Sequence, residues 1–187
     1  AELENLEVMG AWFKFLAERD VSGVLFNEEY RFSNDELKKN KLESLGTAQR
    51  FCIEFFEREH FWEHPKYSHD KLKLLMRCQD EKGNRVISVA TTMLFDWYTH
   101  WVKTSGRQCV RNSRSCFKEL ADIGLVKDRI MVGGTRYTVI HLSLDAVVNG
   151  IASHLDIPCE LIELDWHHLN MDEDRWKSLC DGNFWEL

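Results

Sequence analysis

The chain has 187 residues, of which 44% are hydrophobic and 29% are charged. This composition excludes a disordered or collagen-like chain, and the length suffices for one or two globular domains. No apolar run approaches the roughly 18 residues of a membrane span, and the acidic N-terminus is unlike a signal peptide. We therefore expect a cytoplasmic protein, in the host cytoplasm if viral, without a membrane partner. Because the chain does not begin with Met, we also expect a segment of a longer protein.

Charge is distributed unevenly along the chain. Residues 1–85 hold 14 basic and 17 acidic side chains, residues 86–144 hold 8 and 4, and residues 145–187 hold 2 and 10. The net charge of −7 therefore hides a basic middle of +4 that is followed by a segment of −8. We interpret these ranges as three domains: a helical segment over 1–85, a central domain over 86–144 and an acidic helical tail over 145–187.

Helical periodicity dominates the first of these ranges. Apolar residues at positions 6, 9, 13 and 16 predict an amphipathic helix, and the capping-box sequence at 33–36 predicts another that starts near Asn34. Thr47 is expected to cap a third helix with an apolar face of Phe51, Cys52, Phe55 and Phe56. A short helix is predicted over Asp70 to Cys78. The turn-forming residues 80–84 then predict the domain boundary.

The central domain combines two helices with a hairpin. Leu94, Trp97, Tyr98, Trp101 and Val102 have the spacing of a strongly amphipathic helix, which Gly106 ends. Asn112 is expected to cap a second helix that stops at Gly124. Two β-rich runs, 125–132 and 135–144, follow, and the Gly-Gly pair between them predicts a hairpin. This order of elements is typical of a winged helix.

The acidic range 145–187 is also predicted to be helical. Residues 145–155 favour one helix, Pro158 starts a new segment, and residues 170–173 can cap a last helix that holds Trp176 and Leu179. A charge of −8 opposes contact with phosphates, so the tryptophans of this range are expected to pack on the protein itself or on a neighbouring subunit. The predicted fold class is accordingly α+β and mostly helical.

The second helix of the central domain carries the clearest functional signal. Basic residues at i, i+3 and i+7 form one stripe on this helix, and further arginines precede it and lie on the hairpin. Guanidinium and ammonium groups arranged in this way suit a phosphate backbone. The alternatives are an ordinary solvated face and a winged helix that serves as a protein-packing module. The predicted DNA-binding residues are Arg107, Arg111, Arg114, Lys118, Arg129 and Arg136.

Several short motifs resemble one family. They include Trp97-Tyr-Thr-His-Trp101, Ser113-Arg-Ser-Cys-Phe117 and Gly133-Gly-Thr-Arg-Tyr137, together with the upstream phrase Ala11-Trp-Phe-Lys-Phe-Leu-Ala-Glu-Arg-Asp-Val-Ser-Gly23. These stretches are similar to the C-terminal region of phage and plasmid replicative primase–helicases, which couple a primase or primase–polymerase to a superfamily-3-type ATPase. The chain departs from the family pattern at Phe32, where Pro is expected, and at Asn34, where Thr is expected.

The resemblance implies a non-catalytic C-terminal segment of a DNA-replication enzyme, which assists assembly of the helicase ring or positions DNA. The sequence has no GxxxxGK[ST] phosphate-binding loop and no acidic constellation for two-metal chemistry, so we expect no catalytic residues and no cofactor in this segment. ATP and Mg²⁺ are expected only for the parent protein. The expected partners are non-specific DNA and other domains or subunits. Two alternatives remain: a stand-alone winged-helix regulator, and a module that binds protein alone.

The cysteines and histidines are predicted to have neither a metal-binding nor a catalytic role. The six cysteines form no CxxC motif, which favours reduced, structural thiols. His60, His64 and His69, with Cys78, do not have the spacing of a zinc site, and Pro65 interrupts the helix that could align them. No nucleophile motif is present either. We therefore predict no metal site and no nucleophilic catalysis.

Overall fold

The computed structural model describes residues 40–107 and 112–183 of the chain. The chain divides into Ala1–Lys39 and Asn40–Leu187, and the described residues belong to the second unit. The helices predicted near residues 6–16 and 34 therefore lie outside the described residues. The described part is an α+β fold, as the sequence predicts.

Helices and strands alternate irregularly along this unit. The α-helices are α1 (Thr47–Glu54), α2 (His69–Leu75), α3 (Thr91–Thr104), α4 (Ser113–Asp122), α5 (Leu144–Leu155) and α6 (Glu173–Cys180). Short 3-10 turns span Cys159–Leu161 and His167–Leu169. The strands are β1 (Met76–Glu81), β2 (Asn84–Ala90), β3 (Asp128–Val132) and β4 (Thr135–Leu142). No helix in the described ranges is long and apolar enough to cross a membrane.

One antiparallel sheet connects the two halves of the unit. Its strand order is β1-β2-β4-β3, so the central pair consists of β2 and β4, which are distant in sequence. Strands β3 and β4 form the predicted hairpin, in which Met131 pairs with Arg136 and Val132 with Thr135. Gly133 and Gly134 have φ values of 55° and 79°, which is the left-handed region that a tight hairpin turn requires.

The region before residue 85 differs from the prediction. The predicted helix over residues 70–78 ends at Leu75, and Met76–Glu81 is strand β1, which pairs with β2 across the turn at Lys82-Gly83. Met76 and Cys78 are buried while Arg77 is exposed, so this segment has a period of two and forms the sheet edge. The predicted domain boundary after residue 85 consequently falls inside β2.

The central helices form as the sequence predicts. All five apolar residues of the α3 pattern are buried, and Ser105 and Gly106 terminate the helix, with φ 66° at the glycine. Asn112 caps α4: its side-chain oxygen accepts a hydrogen bond from the N–H of Ser115 at 2.9 Å. At the start of α1 the cap residue is Gly46 instead of the predicted Thr47: Gly46 has an extended backbone, and its N–H donates to the side-chain oxygen of Gln49 at 2.9 Å.

Aromatic rings dominate the core. Phe51 of α1 lies edge-on to Tyr98 of α3, with ring centroids 5.7 Å apart, and Phe55 packs against Trp97 at 5.3 Å. Trp166 and Trp176 of the acidic range are fully buried in the same unit. These two tryptophans therefore pack on the protein's own body, which is one of the two outcomes expected for them. Helix α4 packs mainly against α1, and α1 in turn packs against α3.

Candidate nucleic-acid interface

A groove of about 810 Å³ lies between α4 and the first turns of α3. We call it the basic groove. Its wall also includes Lys66 and the segment that follows α4. Four of its side chains are basic and one is acidic, and the remainder are apolar or hydroxyl-bearing. The basic set is Lys66, Arg114, Lys118 and Lys127; the acidic residue is Asp96; the aromatic rings are Phe95 and Phe117.

Helix α4 supplies the centre of this surface. Arg114 and Lys118 are four residues apart, so they lie on one face, and both are exposed. Cys116, Phe117 and Leu120 occupy the buried side of the helix. The amphipathic pattern thus turns the apolar side chains inward and leaves the two cations at the edge of the groove.

Neither carboxylate of this helix, Glu119 or Asp122, lines the groove. Glu119 accepts the N–H of Ala48 at 2.8 Å, and its backbone carbonyl accepts the side-chain amide of Gln49 at 3.1 Å. Glu119 thus satisfies a free N–H group at the start of α1 and joins the two helices. Within the described ranges, Arg114, Lys118 and Lys127 form no salt bridge with a carboxylate. Their positive charge is therefore available to an anionic ligand.

Asp96 is the acidic residue of the groove, and it is neutralised locally. The ammonium of Lys66 donates a hydrogen bond to Asp96 Oδ2 at 2.5 Å, and the hydroxyl of Tyr67 donates to the same oxygen. Partial burial raises the pKa of Asp96, but these two donors outweigh burial and hold its pKa below the usual range. The carboxylate consequently stays ionised and bound to Lys66, which leaves the groove with a net positive charge.

Arg107, one of the predicted DNA-binding residues, is paired with a carboxylate in this structure. Its guanidinium donates to both carboxylate oxygens of Glu54, at 2.8 and 3.0 Å, and lies 4.5 Å from the ring centroid of Trp101. This pairing fixes the end of α3 to α1. Arg107 does not line the basic groove.

The remaining predicted residues fall into two groups. Arg111 lies outside the described residues, and of the predicted stripe the structure describes Arg114 and Lys118. Arg129 and Arg136 lie on the hairpin, on the same face as Met131, which is 60% exposed. They are outside the groove and form a separate basic surface, which we call the hairpin surface.

The structure adds Lys66 and Lys127 to the residues predicted from sequence. Lys66 follows Pro65 in a loop, far from α4 in sequence, and only the tertiary fold brings it to the groove. Lys127 follows the α4 stop at Gly124, and its ammonium lies 4.2 Å from the ring centroid of Phe117. The sequence signal for Lys127 was its position between the basic helix and the basic hairpin.

A hydrogen-bonded Ser-His-Asp set crosses the sheet elsewhere. The Oγ atom of Ser88 lies 2.7 Å from Nδ1 of His141, whose Nε2 lies 3.3 Å from Asp128 Oδ2. In serine hydrolases the serine contacts Nε2 and the aspartate contacts Nδ1, so this arrangement is reversed. Ser88 is only 4% exposed and lies on a central strand. This set joins β2, β4 and β3 and offers no accessible nucleophile.

Metal-ligand clusters are not seen in the described ranges: no three His, Cys, Asp or Glu side chains are grouped to hold an ion. The ring of His64 packs against His100, with centroids 5.1 Å apart, and burial is the largest cause that lowers its pKa. The five described cysteines are free thiols.

Comparisons of the chain with protein-family models, curated proteins and solved structures give no match.

Proposed function

We propose that this unit is a non-catalytic winged-helix module that binds nucleic acid through the basic groove. We further propose that it serves a phage-type replicative primase–helicase by positioning DNA or assisting assembly of the helicase ring. ATP and Mg²⁺ would act in the parent protein. The observation that carries the proposal is the basic groove itself, with three exposed cations that lack carboxylate partners in the described ranges.

The order of elements supports the winged-helix interpretation. Helix α1, strand β2, helices α3 and α4, and the β3–β4 hairpin follow one another as in winged helices, apart from the insertion of α2 and β1. Strand β2 pairs with β4, and β4 pairs with β3, so the sheet returns next to the helices. In helix-turn-helix proteins the second helix of the pair contacts nucleic acid, and here that helix is α4.

Electrostatics favours a local, salt-sensitive contact. The chain carries a net charge of −7, so attraction to DNA must come from the field of the groove and not from the whole molecule. Each phosphate contact releases counterions, which makes the binding constant fall as salt rises. Contacts to phosphates carry no base information, and we expect similar affinity for unrelated sequences.

The test is a salt titration of labelled DNA with three proteins. The first is the unaltered chain, and the second carries Arg114→Ala, Lys118→Ala and Lys127→Ala. The third is a control of equal charge with Lys71→Ala, Lys103→Ala and Lys177→Ala, which are exposed lysines outside the groove. We expect the groove variant to lose roughly 0.7 to 0.9 of the log–log salt slope per lost contact. Equal slopes for the two triple variants would contradict the proposal.

A protein-binding role has its own supporting observation. Val126 at the groove is 66% exposed and Met131 on the hairpin surface is 60% exposed, and methionine is among the residue types enriched in subunit contacts. If assembly is the main function, Val126→Ser with Met131→Ser should weaken self-association of the chain. Sedimentation over a range of protein concentrations measures this, and unchanged association would count against it.

A further inference from the structure

The basic groove has an apolar floor as well as a charged rim. Phe117 and Leu125 are 8% and 3% exposed and form the floor, and the Phe95 ring centroid lies 6.5 Å from that of Phe117. The cations Arg114, Lys118 and Lys127 are exposed and form the rim. The volume of about 810 Å³ is in the range of sites that hold drug-sized ligands.

These two layers suit different parts of a nucleic acid. A duplex presents its phosphates outward and keeps its bases paired and stacked, so its backbone could contact the rim but would leave the apolar floor unfilled. An unpaired strand presents phosphates and the faces of its bases together. Its bases can cover apolar side chains while its phosphates lie against the cations.

Lys127 and Phe117 bring the two kinds of contact to one point. The Lys127 ammonium is 4.2 Å from the Phe117 ring centroid, so a group that binds phosphate adjoins an apolar ring. Val126, which is 66% exposed, lies beside Lys127 and extends the apolar surface outward.

We infer that the basic groove binds a single, unpaired nucleic-acid strand, with bases on the Phe95–Val126 side and phosphates on Arg114, Lys118 and Lys127. This inference rests on the proposed nucleic-acid function and names the form of nucleic acid. An acidic peptide with aromatic residues is the competing occupant. The strand is favoured because four cations face one carboxylate, which Lys66 already pairs, and a strand offers an anion at each nucleotide.

The experiment compares three labelled ligands of equal phosphate number at one salt concentration. They are a mixed-sequence single strand, a blunt duplex, and a strand of abasic linkers. Fluorescence anisotropy with the full chain should show the single strand bound at least roughly fivefold more tightly than the abasic strand, because each stacked base contributes to affinity. The duplex should bind more weakly than the single strand.

Two variants assign this preference to the groove. Phe95→Leu with Val126→Ser should reduce single-strand affinity several-fold, while abasic-strand affinity and the salt slope stay unchanged. Leu74→Ser, at an apolar residue that is 40% exposed outside the groove, is the matched control and should have no effect. Thermal melting of each variant shows that it is folded.

The outcomes separate the inference from the function on which it rests. If duplex and single strand bind equally and only the Arg114, Lys118 and Lys127 variant loses affinity, the groove binds phosphates and the single-strand inference is wrong. If no nucleic acid binds at low salt, both proposals are overturned. If an acidic aromatic peptide displaces the strand at a lower concentration than unlabelled strand does, the peptide is the better occupant and the inference is again wrong.

Discussion

The backbone carbonyl of Ile123 occupies the place where Gly150 would carry a side chain. A Cβ built on Gly150 would lie 2.0 Å from the Ile123 oxygen. Ile123 is the residue at which α4 ends, and Gly150 lies in the middle of α5. The absence of a side chain at Gly150 therefore lets α5 pack directly against the end of the helix that carries Arg114 and Lys118.

Gly150→Ala should destabilise the protein, although alanine is intrinsically favoured in helices. Alanine gains up to about 1 kcal/mol of helix propensity, but backbone atoms must shift to admit the methyl group, and overpacking typically costs roughly 1–3 kcal/mol. We expect a net loss in the free energy of unfolding, measured by urea denaturation, and weaker binding of nucleic acid by the groove. Ser153→Ala on the exposed side of α5 is the control and should change stability by less than about 0.5 kcal/mol. A Gly150→Ala protein as stable as this control would contradict the close packing.

The hairpin turn gives a second prediction. Gly133 and Gly134 both have positive φ, which costs a residue with a side chain roughly 1–2 kcal/mol, and a β-branched residue more. Replacing both by Val should lower the melting temperature. Asn-Gly at these two positions is the control, because asparagine tolerates the left-handed region, and this variant should melt close to the unaltered protein. If the Val-Val and Asn-Gly variants melt together, the turn does not constrain the hairpin.

The sequence predicted a helix or strand correctly where apolar periodicity, a cap residue or a turn residue marks it. Periodicity placed the buried face of α3, Asn112 marked the start of α4, and Gly133-Gly134 marked the hairpin. It failed at Met76–Glu81, where leucines at 72, 74 and 75 extended a helical pattern into a segment that pairs with β2. The missed signal was the turn: Lys82 and Gly83 both have positive φ and join β1 to β2 as a hairpin, whereas the turn-forming residues 80–84 were interpreted as a domain boundary.

Only the part of the candidate site that depends on local sequence spacing could be predicted. Helical spacing predicts that Arg114 and Lys118 lie on one face. The sequence around Arg107 does not show that Glu54 lies beside it in the fold. Lys66 reaches the groove only through the path of the loop after α1. An ion pair with a residue that is distant in sequence, such as that of Arg107 with Glu54, cannot be predicted from local spacing.

Acid sensitivity gives a third prediction, centred on His168. Its ring is fully buried among Phe56, Trp166 and Trp176, and neither ring nitrogen has a hydrogen-bond partner in the described ranges. Burial is the largest cause that lowers its pKa, to about 3, and the charge of Arg85 adds to it. The unfolded pKa is about 6.5, so this residue costs no stability above pH 6.5, and stability falls as pH drops from 6.5 towards 3.

Denaturation at pH 6.5 and pH 5 measures this effect. His168 should account for a loss of about 1.7 kcal/mol between these two values, since its contribution approaches about 1.4 kcal/mol per pH unit once the pH is well below the unfolded pKa. His168→Leu should remove that part of the acid dependence. The exposed His154→Gln serves as control and should retain it. An unchanged pH dependence in His168→Leu would show that the acid sensitivity arises from other groups.

The last prediction separates structural from ligand-binding arginines. Arg107 pairs with Glu54 and stacks on Trp101, so Arg107→Ala should lower the free energy of unfolding by roughly 1 kcal/mol, because a partly exposed ion pair and a cation–π contact are each modest. The salt slope of DNA binding should not change, since this guanidinium does not line the groove. Arg114→Ala should give the opposite result: stability within about 0.5 kcal/mol of the unaltered chain, and a smaller salt slope. Urea denaturation and anisotropy on the same two variants test this directly. If Arg107→Ala reduces the slope as much as Arg114→Ala does, Arg107 contacts the nucleic acid and the pair with Glu54 opens on binding.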